Sequence, residues 1–404
     1  MNTGKIADSN GMTQHPRMPL QAQLPPASPE AMAHSRRLAE QLREMIAKAG
    51  GWLPFSAYME LALYAPGLGY YSAGARKLGA DGDFVTAPEL SPLFGQVLAR
   101  QVRQLFEQVP CIVLEIGAGS GALAASLLAE LEKLGALPDQ YWILELSADL
   151  RQRERDTLAE RVPHLLERVA WLNQLPPSFS GVALGNEVLD AMPVEVFRVG
   201  PDGGGIEQAG VTGRETAFSW AYHPASEALA EHISSLDLPS GYRSEIAPAA
   251  AAFLRSLGAI MGKAAALFID YGFPQREYYH PQRSEGTLMC HYRHRAHDDP
   301  FFLPGLQDIT AHVDFSAMAR AASEAGLEVL GYANQAQFLI NCGITEVLSE
   351  TDPQDTRRYL AAAGAAQKLL SPAEMGELFK VIAFGRGVAG PLMGFASGDK
   401  THTL

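Results

Sequence analysis

Apolar positions recur in two rhythms along the chain. Within residues 30–49 they fall mostly three, four or seven apart, at Met32, Leu38, Leu42, Met45 and Ile46, the stripe of an amphipathic helix closed by Gly50-Gly51. A second short helix is expected over residues 54–64, stopped by Ala65-Pro66-Gly67. A third is expected over residues 91–108, with Phe94, Val97, Leu98, Val102, Leu105 and Phe106 on its buried side. From Cys111 to about Ala191 the rhythm changes, and short unbroken apolar runs alternate with helical stretches. That alternation is expected of parallel strands covered on both faces. Between Val194 and Leu238 only short strands stand out, around residues 194–199 and 217–222, which predicts a β-rich insertion. Buried strands return at residues 264–272 and 326–330 around a helix at 315–325, and residues 379–384 close the sheet.

The most specific chemistry lies where the first of these strands ends. Val113-Leu114-Glu115-Ile116 runs into Gly117-Ala118-Gly119-Ser120-Gly121, and an apolar helix follows from Ala122, with Gly135 as its expected stop. Glycines at alternate positions let the backbone turn sharply off a strand and let a ligand approach the main chain, because no Cβ intervenes. The spacing departs from the dinucleotide pattern G-x-G-x-x-G, and no Gly-Lys-Ser/Thr of a phosphate loop is present. E-x-G-x-G-x-G instead resembles motif I of the class I S-adenosyl-L-methionine methyltransferases. That ligand carries no phosphate, so a second acid is expected at the next strand end. Tyr141-Trp142-Ile143-Leu144-Glu145-Leu146 provides it, with Glu145 placed to accept from ribose hydroxyls.

Composition narrows the class. With 404 residues the chain exceeds a minimal methyltransferase domain, and 32 basic against 45 acidic residues give a net charge of −13. An acidic chain lacks the basic footprint of nonspecific nucleic-acid binding. Cys111, Cys290 and Cys342 are far apart, which is the pattern of free thiols in a reducing compartment, and a cytoplasmic location is expected. No apolar run reaches the roughly 18–20 residues of a membrane span. Residues 1–30 are expected to be a disordered leader, residues 31–110 an N-terminal helical region closing over the cofactor, and residues 111–404 the core, with its insertion at about 195–260.

Further blocks extend the resemblance. Gly82-Asp83-Phe84-Val85-Thr86-Ala87-Pro88-Glu89 with Leu93-Phe94-Gly95, the glycine turn, Asn186-Glu187-Val188-Leu189-Asp190-Ala191-Met192-Pro193-Val194, Ile269-Asp270-Tyr271-Gly272 and Asp308-Ile309-Thr310-Ala311-His312-Val313-Asp314-Phe315 follow in order. This series resembles the MidA-like family of S-adenosyl-L-methionine-dependent methyltransferases, related to the mitochondrial complex I assembly factor. The resemblance implies an α/β, Rossmann-like sheet and S-adenosyl-L-methionine as cofactor. It also implies methylation of an arginine side chain on a protein client, a complex I subunit in the mitochondrial branch. It would set Gly82, Asp83, Thr86, Pro88 and Glu89 against the cofactor, together with Glu115, Gly117, Ala118, Gly119, Gly121, Glu145, Leu146, Asn186 and Glu187.

Glu187 and Asp190 would share a face if their turn is helical, and two carboxylates there could hold a planar guanidinium. His312 is a candidate catalytic base, or else a core histidine bonded to Asp314 or to backbone. His291-x-x-His294-x-x-His297 has a metal-like spacing, but arginines are interspersed and methyl transfer needs no metal, so a solvated substrate-facing loop is expected. Two other readings stay open: a small-molecule O- or N-methyltransferase, and a cofactor-binding assembly factor with little turnover.

Overall fold

The computed structural model describes residues 24–73, 85–201, 204–214 and 217–404. Most of the expected leader, along with Gly82 and Asp83, therefore lies outside the described residues. The first helix, Pro29–Lys48, is capped by the Ser28 hydroxyl, which accepts from the Ala31 N–H at 3.2 Å, and it buries Leu38, Leu42 and Ile46. Strand β1 (Leu53–Pro54) leads directly into helix Phe55–Tyr64, and helices Ala87–Leu90 and Leu93–Phe106 follow.

The core begins at β2 (Ile112–Ile116). Helix Ala122–Lys133 connects it to β3 (Gln140–Leu144), helix Ala148–Arg161 leads toward β4 (Val169–Leu172), and the chain then crosses to β5 (Phe179–Asn186). Four strands follow outside the core: β6 (Glu195–Val199), β7 (Ile206–Arg214), β8 (Ala217–Pro224) and β9 (Arg243–Ile246). The chain returns through helix Pro248–Ile260 to the long central β10 (Met261–Phe273). A hairpin of β11 (Met289–Tyr292) and β12 (Arg295–His297) pairs with β13 (Asp308–Thr310). Next come β14 (Val313–Asp314), helix Phe315–Glu324, β15 (Glu328–Asn334), three further helices and β16 (Phe379–Arg386).

The core sheet has the order β15-β16-β10-β5-β2-β3-β4, and only β16 runs against its neighbours. Its strands are apolar on both faces because helices cover both sides. One side buries Val113, Leu127, Ile143, Val182 and Leu267 with the helix Leu93–Phe106, and the other buries Leu114, Ala183, Phe268 and Phe384 with Leu254 and Met318. The chain runs outward from β2 in one direction and from β5 in the other, so a crevice opens where the order reverses. Ligands of open α/β sheets bind at the carboxyl ends of strands at such a point.

The elements outside the core form one lobe. β1 pairs antiparallel with β7, and Leu38, Leu42, Phe55, Tyr58 and Leu63 of the first helices pack with Val196, Ala209 and Val211 of the inserted sheet. The N-terminal helices and the insertion thus share a core that neither could close alone. The reading that ran the insertion to about residue 260 is corrected by helix Pro248–Ile260. It packs Leu254 and Leu257 onto the core sheet, so the inserted strands end at Ile246.

Candidate active site

Each wall of the crevice is built by a local rule. At the end of β2 the glycine turn places Gly117, Gly119 and Gly121 at φ of 65°, 61° and 79°, in the left-handed region that favours glycine. Gly117 donates to the Leu144 carbonyl at 3.0 Å, which ties the turn to the end of β3. Gly121 caps the N-terminus of helix Ala122–Lys133 and is not among the residues that line the crevice. A Cβ on Gly121 would stand 3.0 Å from the Glu154 Cα. Glu115 borders the crevice, but it is 2 % exposed and its carboxylate accepts from the Tyr141 hydroxyl at 2.6 Å. Burial pushes this carboxyl up to about 7.

Glu145 follows β3 directly, and its Oε1 accepts from the Ser147 N–H at 2.7 Å, so the side chain is aimed at the crevice by its own turn. Leu146 beside it is 75 % exposed and stands at the mouth. On the lobe side, Thr86, Pro88 and Glu89 line the same space, and Glu89 Oε2 is buried with no protein partner.

The end of β5 is held by an acid from its neighbour. Asp270 of β10 accepts with one oxygen from the N–H groups of Val188, Leu189 and Asp190, at 3.2, 2.9 and 3.3 Å. The segment 187–190 is therefore a turn wrapped around a carboxylate, with Glu187 at φ 53°, and the helical turn that would have given the two acids a shared face is not formed. The turn still brings Glu187 and Asp190 to the same floor. Asn186 Nδ2 donates to Glu187 Oε1 at 3.0 Å, and Asp190 is buried against the Tyr271 hydroxyl with its Oδ1 unpartnered.

Burial first, and then the neighbouring charges of Asp190 and Asp308, push Glu187 up to about 8. Asp190 and Asp270 are raised chiefly by burial as well. Among the described residues, no lysine or arginine pairs with Glu187, Asp190 or Asp270. Carboxylates so placed attract a cation, because hydrogen bonds but no positive side chain among the described residues compensate the charged form.

Spacing alone did not single out three residues that join this floor. Tyr64 and Tyr71 stack at 5.5 Å and 21°, and the Tyr71 hydroxyl donates to Asp308 Oδ1 at 2.9 Å. Tyr64 donates to the Ala191 carbonyl at 2.9 Å, which ties this aromatic wall to the acidic turn. The tyrosines sit in a Gly/Tyr-rich stretch of sequence and Asp308 heads a family block, but only the fold brings them to one place.

His312 also faces the crevice. It is not bonded to Asp314, whose carboxylate caps the helix Phe315–Glu324 by accepting from the Ala317 N–H at 3.1 Å. The ring is held edge-on by Tyr271 and Phe273, with centroids 5.2 and 5.3 Å away, and Nδ1 is buried without a partner. Burial, helped by Arg283 and Lys380, lowers it to about 4, so it is neutral near pH 7.

The expected solvated, substrate-facing loop of the histidine triplet is in part a hairpin: His294 is exposed in its turn and His291 lines the crevice, but His297 is buried. His291 and His297 lie on paired strands β11 and β12, whose register sets His297 opposite Cys290 and His291 opposite Ala296. Adjacent positions of a hairpin point to opposite faces, so the ligand-like spacing is dispersed. Among the described residues, no group of three potential ligand side chains could hold a metal.

The crevice measures about 1620 Å³ and runs from the glycine turn to His312. It exceeds the roughly 300–1,000 Å³ of ordinary ligand pockets, so it can take a nucleoside and an acceptor group together. A glycine cradle without a phosphate-binding lysine, a carboxylate at the next strand end and unpartnered acceptors at Asn186 Oδ1 and Glu89 Oε2 suit a cationic nucleoside.

Fold and site together define an S-adenosyl-L-methionine-dependent methyltransferase. A family model described as "Putative S-adenosyl-L-methionine-dependent methyltransferase" matches residues 94–333, more than half of the chain, and the chain belongs to that family. It is similar to a Burkholderia thailandensis protein crystallised with S-adenosyl-homocysteine, at 55% identity and a TM-score of 0.92 over 94% of this chain and 100% of that one. It is 28% identical to the Drosophila melanogaster protein arginine methyltransferase NDUFAF7 homolog, mitochondrial, over 96% of this chain and 94% of the relative. The Mus musculus protein arginine methyltransferase NDUFAF7, mitochondrial, is 29% identical over 87% of this chain and 85% of its own length. S-adenosyl-L-methionine is the cofactor.

Glu145→Ala is expected to weaken S-adenosyl-L-methionine binding by about 1.5–3 kcal/mol, since it removes a charge-assisted acceptor from the end of β3. Calorimetry on a variant of unchanged fold checks this, and an unchanged affinity would remove Glu145 from the cofactor site.

Proposed function

We propose that the chain methylates an arginine side chain of a protein client, with a respiratory complex I subunit as the client class that the family resemblance implies. The observation that carries this reading is the acidic, aromatic floor of Glu187, Asp190, Asp308, Tyr64 and Tyr71, with no basic residue paired to Glu187 or Asp190 among the described residues. A guanidinium is planar and cationic. It suits carboxylates that accept from its edges and aromatic rings that face its plane. The names of the mouse and fly relatives are consistent with that acceptor.

The bound cofactor supplies an electrophilic methyl group on a sulfonium. The chain's own contribution is to align the acceptor nitrogen, exclude water and stabilise charge as transfer proceeds. Asp190, fixed by Asp270 and Tyr271, orients the guanidinium. Glu187, with its raised affinity for a proton, accepts the proton that the methylated nitrogen releases. A small-molecule acceptor would call for a closed apolar pocket, whereas this floor is acidic and the crevice large.

The test is methyl transfer from labelled cofactor to proteins of a lysate from cells lacking the gene, followed by acid hydrolysis. Methylarginine supports the reading. Label on a small molecule, on another side chain or on nothing overturns it.

A pH dependence follows from Glu187. Its carboxyl is raised to about 8, so below that pH a proton must leave when the cationic acceptor enters. The Michaelis constant for an arginine acceptor should therefore fall as pH rises from about 6 to about 8, by up to about tenfold per unit, and level off above. Glu187→Gln should flatten the profile. A wild-type profile already flat across this range would show that Glu187 does not meet the acceptor as a carboxylate.

A further inference from the structure

The far end of the crevice has the opposite electrical character. Arg283 lines it, with its guanidinium 3.8 Å from the Phe273 ring centroid and one donor spent on the Glu277 carbonyl. Among the described residues no carboxylate pairs with it, so most of its planar fork is left unused. Beside it stands His312, whose Nδ1 is buried without a partner and whose ring is clamped by Tyr271 and Phe273. The backbone is fixed as well. The His312 N–H donates to Thr287 Oγ1 at 3.1 Å, and Glu245 accepts from the Thr287 N–H and hydroxyl at 3.0 and 3.1 Å. Lys380, 5.6 Å from the same Phe273 ring but outside the crevice lining, adds a second positive charge that is felt at His312.

The basic end and the acidic floor are joined by one residue. Tyr271 meets Asp190 with its hydroxyl and His312 with its ring. Asp190 and His312 thus flank one tyrosine ring, with Arg283 beyond His312 on the Phe273 ring, an arrangement that suits side chains of one extended peptide, whose residues on one face repeat about every 6.5–7 Å.

We propose that Arg283 and His312 form an anion-reading subsite that takes an acidic side chain one or two positions from the methylated arginine. The guanidinium accepts the carboxylate as a planar fork, and the histidine ring nitrogen supplies a further donor once the acidic group arrives. This rests on the arginine-acceptor reading above but makes a separate demand on the substrate.

The experiment measures binding of short alanine-based peptides in the presence of S-adenosyl-homocysteine by fluorescence anisotropy. The central residue is arginine or norleucine, and the flanking residues are aspartate, asparagine or lysine. Wild-type protein should bind the arginine peptide with aspartate flanks about tenfold more tightly than with asparagine flanks. Arg283→Gln should reduce that preference to less than about twofold, and Arg283→Glu should reverse it in favour of lysine. His312→Phe keeps the ring packing, removes the nitrogens and should cost part of the preference. Melting temperature serves as the folding control.

Equal affinity for aspartate and asparagine flanks, with arginine still required, overturns the subsite and leaves the acceptor reading intact. A preference for aspartate that depends on Arg283 but not on the central arginine supports the subsite and overturns the acceptor reading. Weakened S-adenosyl-homocysteine binding in Arg283→Gln would show that the group read is the cofactor's own carboxylate, and the proposal falls. Absence of binding by every peptide overturns both.

Discussion

Asp190→Asn should leave the cofactor bound and lower methyl transfer at least tenfold, and with Glu187→Gln added the loss should reach about a hundredfold. Asparagine keeps the shape of the side chain and one acceptor, so the comparison isolates charge. The buried Asp190 lies next to Asp270 and Glu187, and its charge helps to raise both of their carboxyls by repulsion. Neutralising it relieves that repulsion, so the melting temperature of the variant should be unchanged or higher while activity falls. The decisive comparison is initial transfer rate at saturating cofactor, with cofactor affinity measured separately by calorimetry. Full activity of both variants on the methylated client would remove the acidic floor from the mechanism.

Gly119→Val should abolish cofactor binding, with a loss of at least about a hundredfold in affinity. Gly119 sits at φ 61° in the turn that lines the crevice. A β-branched residue is strongly disfavoured there, and its side chain would occupy the path by which a ligand reaches the backbone. Gly119→Asn separates the two effects, because asparagine tolerates left-handed backbone far better. If the asparagine variant also fails to bind, space is decisive; if it binds well, strain is. Calorimetric titration with S-adenosyl-L-methionine reads both, and normal affinity of the valine variant would show that the cofactor does not approach this turn.

The distribution of these effects explains how much of the site could be read in advance. Glu115, the glycine turn and Glu145 were legible because strand, turn and helix signals are local, and the acids fall at strand ends by counting residues. Glu187 and Asp190 were legible for the same reason. Their geometry was not, because the turn that carries them is shaped by Asp270, 80 residues further on from Asp190. The histidine triplet was expected in a loop, and the strand pairing that forms a hairpin there, with His291 on the crevice and His297 buried, was not legible from its spacing. Arg283 gave no signal at all, since nothing in its neighbourhood marks a guanidinium that will face a histidine from another part of the chain.

The chain by itself determined the alternating strands and helices around the glycine turn and the cofactor. Apolar runs that suit strands covered on both faces, a glycine turn without a phosphate-binding lysine and an acid at the next strand end are properties of contiguous residues, and local sterics and burial enforce them. Only the tertiary structure decided that β1 joins the inserted sheet to make one lobe with the N-terminal helices. It alone decided that Tyr64, Tyr71 and Asp308 complete an acidic aromatic floor, and that the opposite end of the same crevice is basic. Those choices depend on contacts between residues far apart in sequence, where burial of shared apolar faces sets which surfaces meet and the charges they carry are brought along with them.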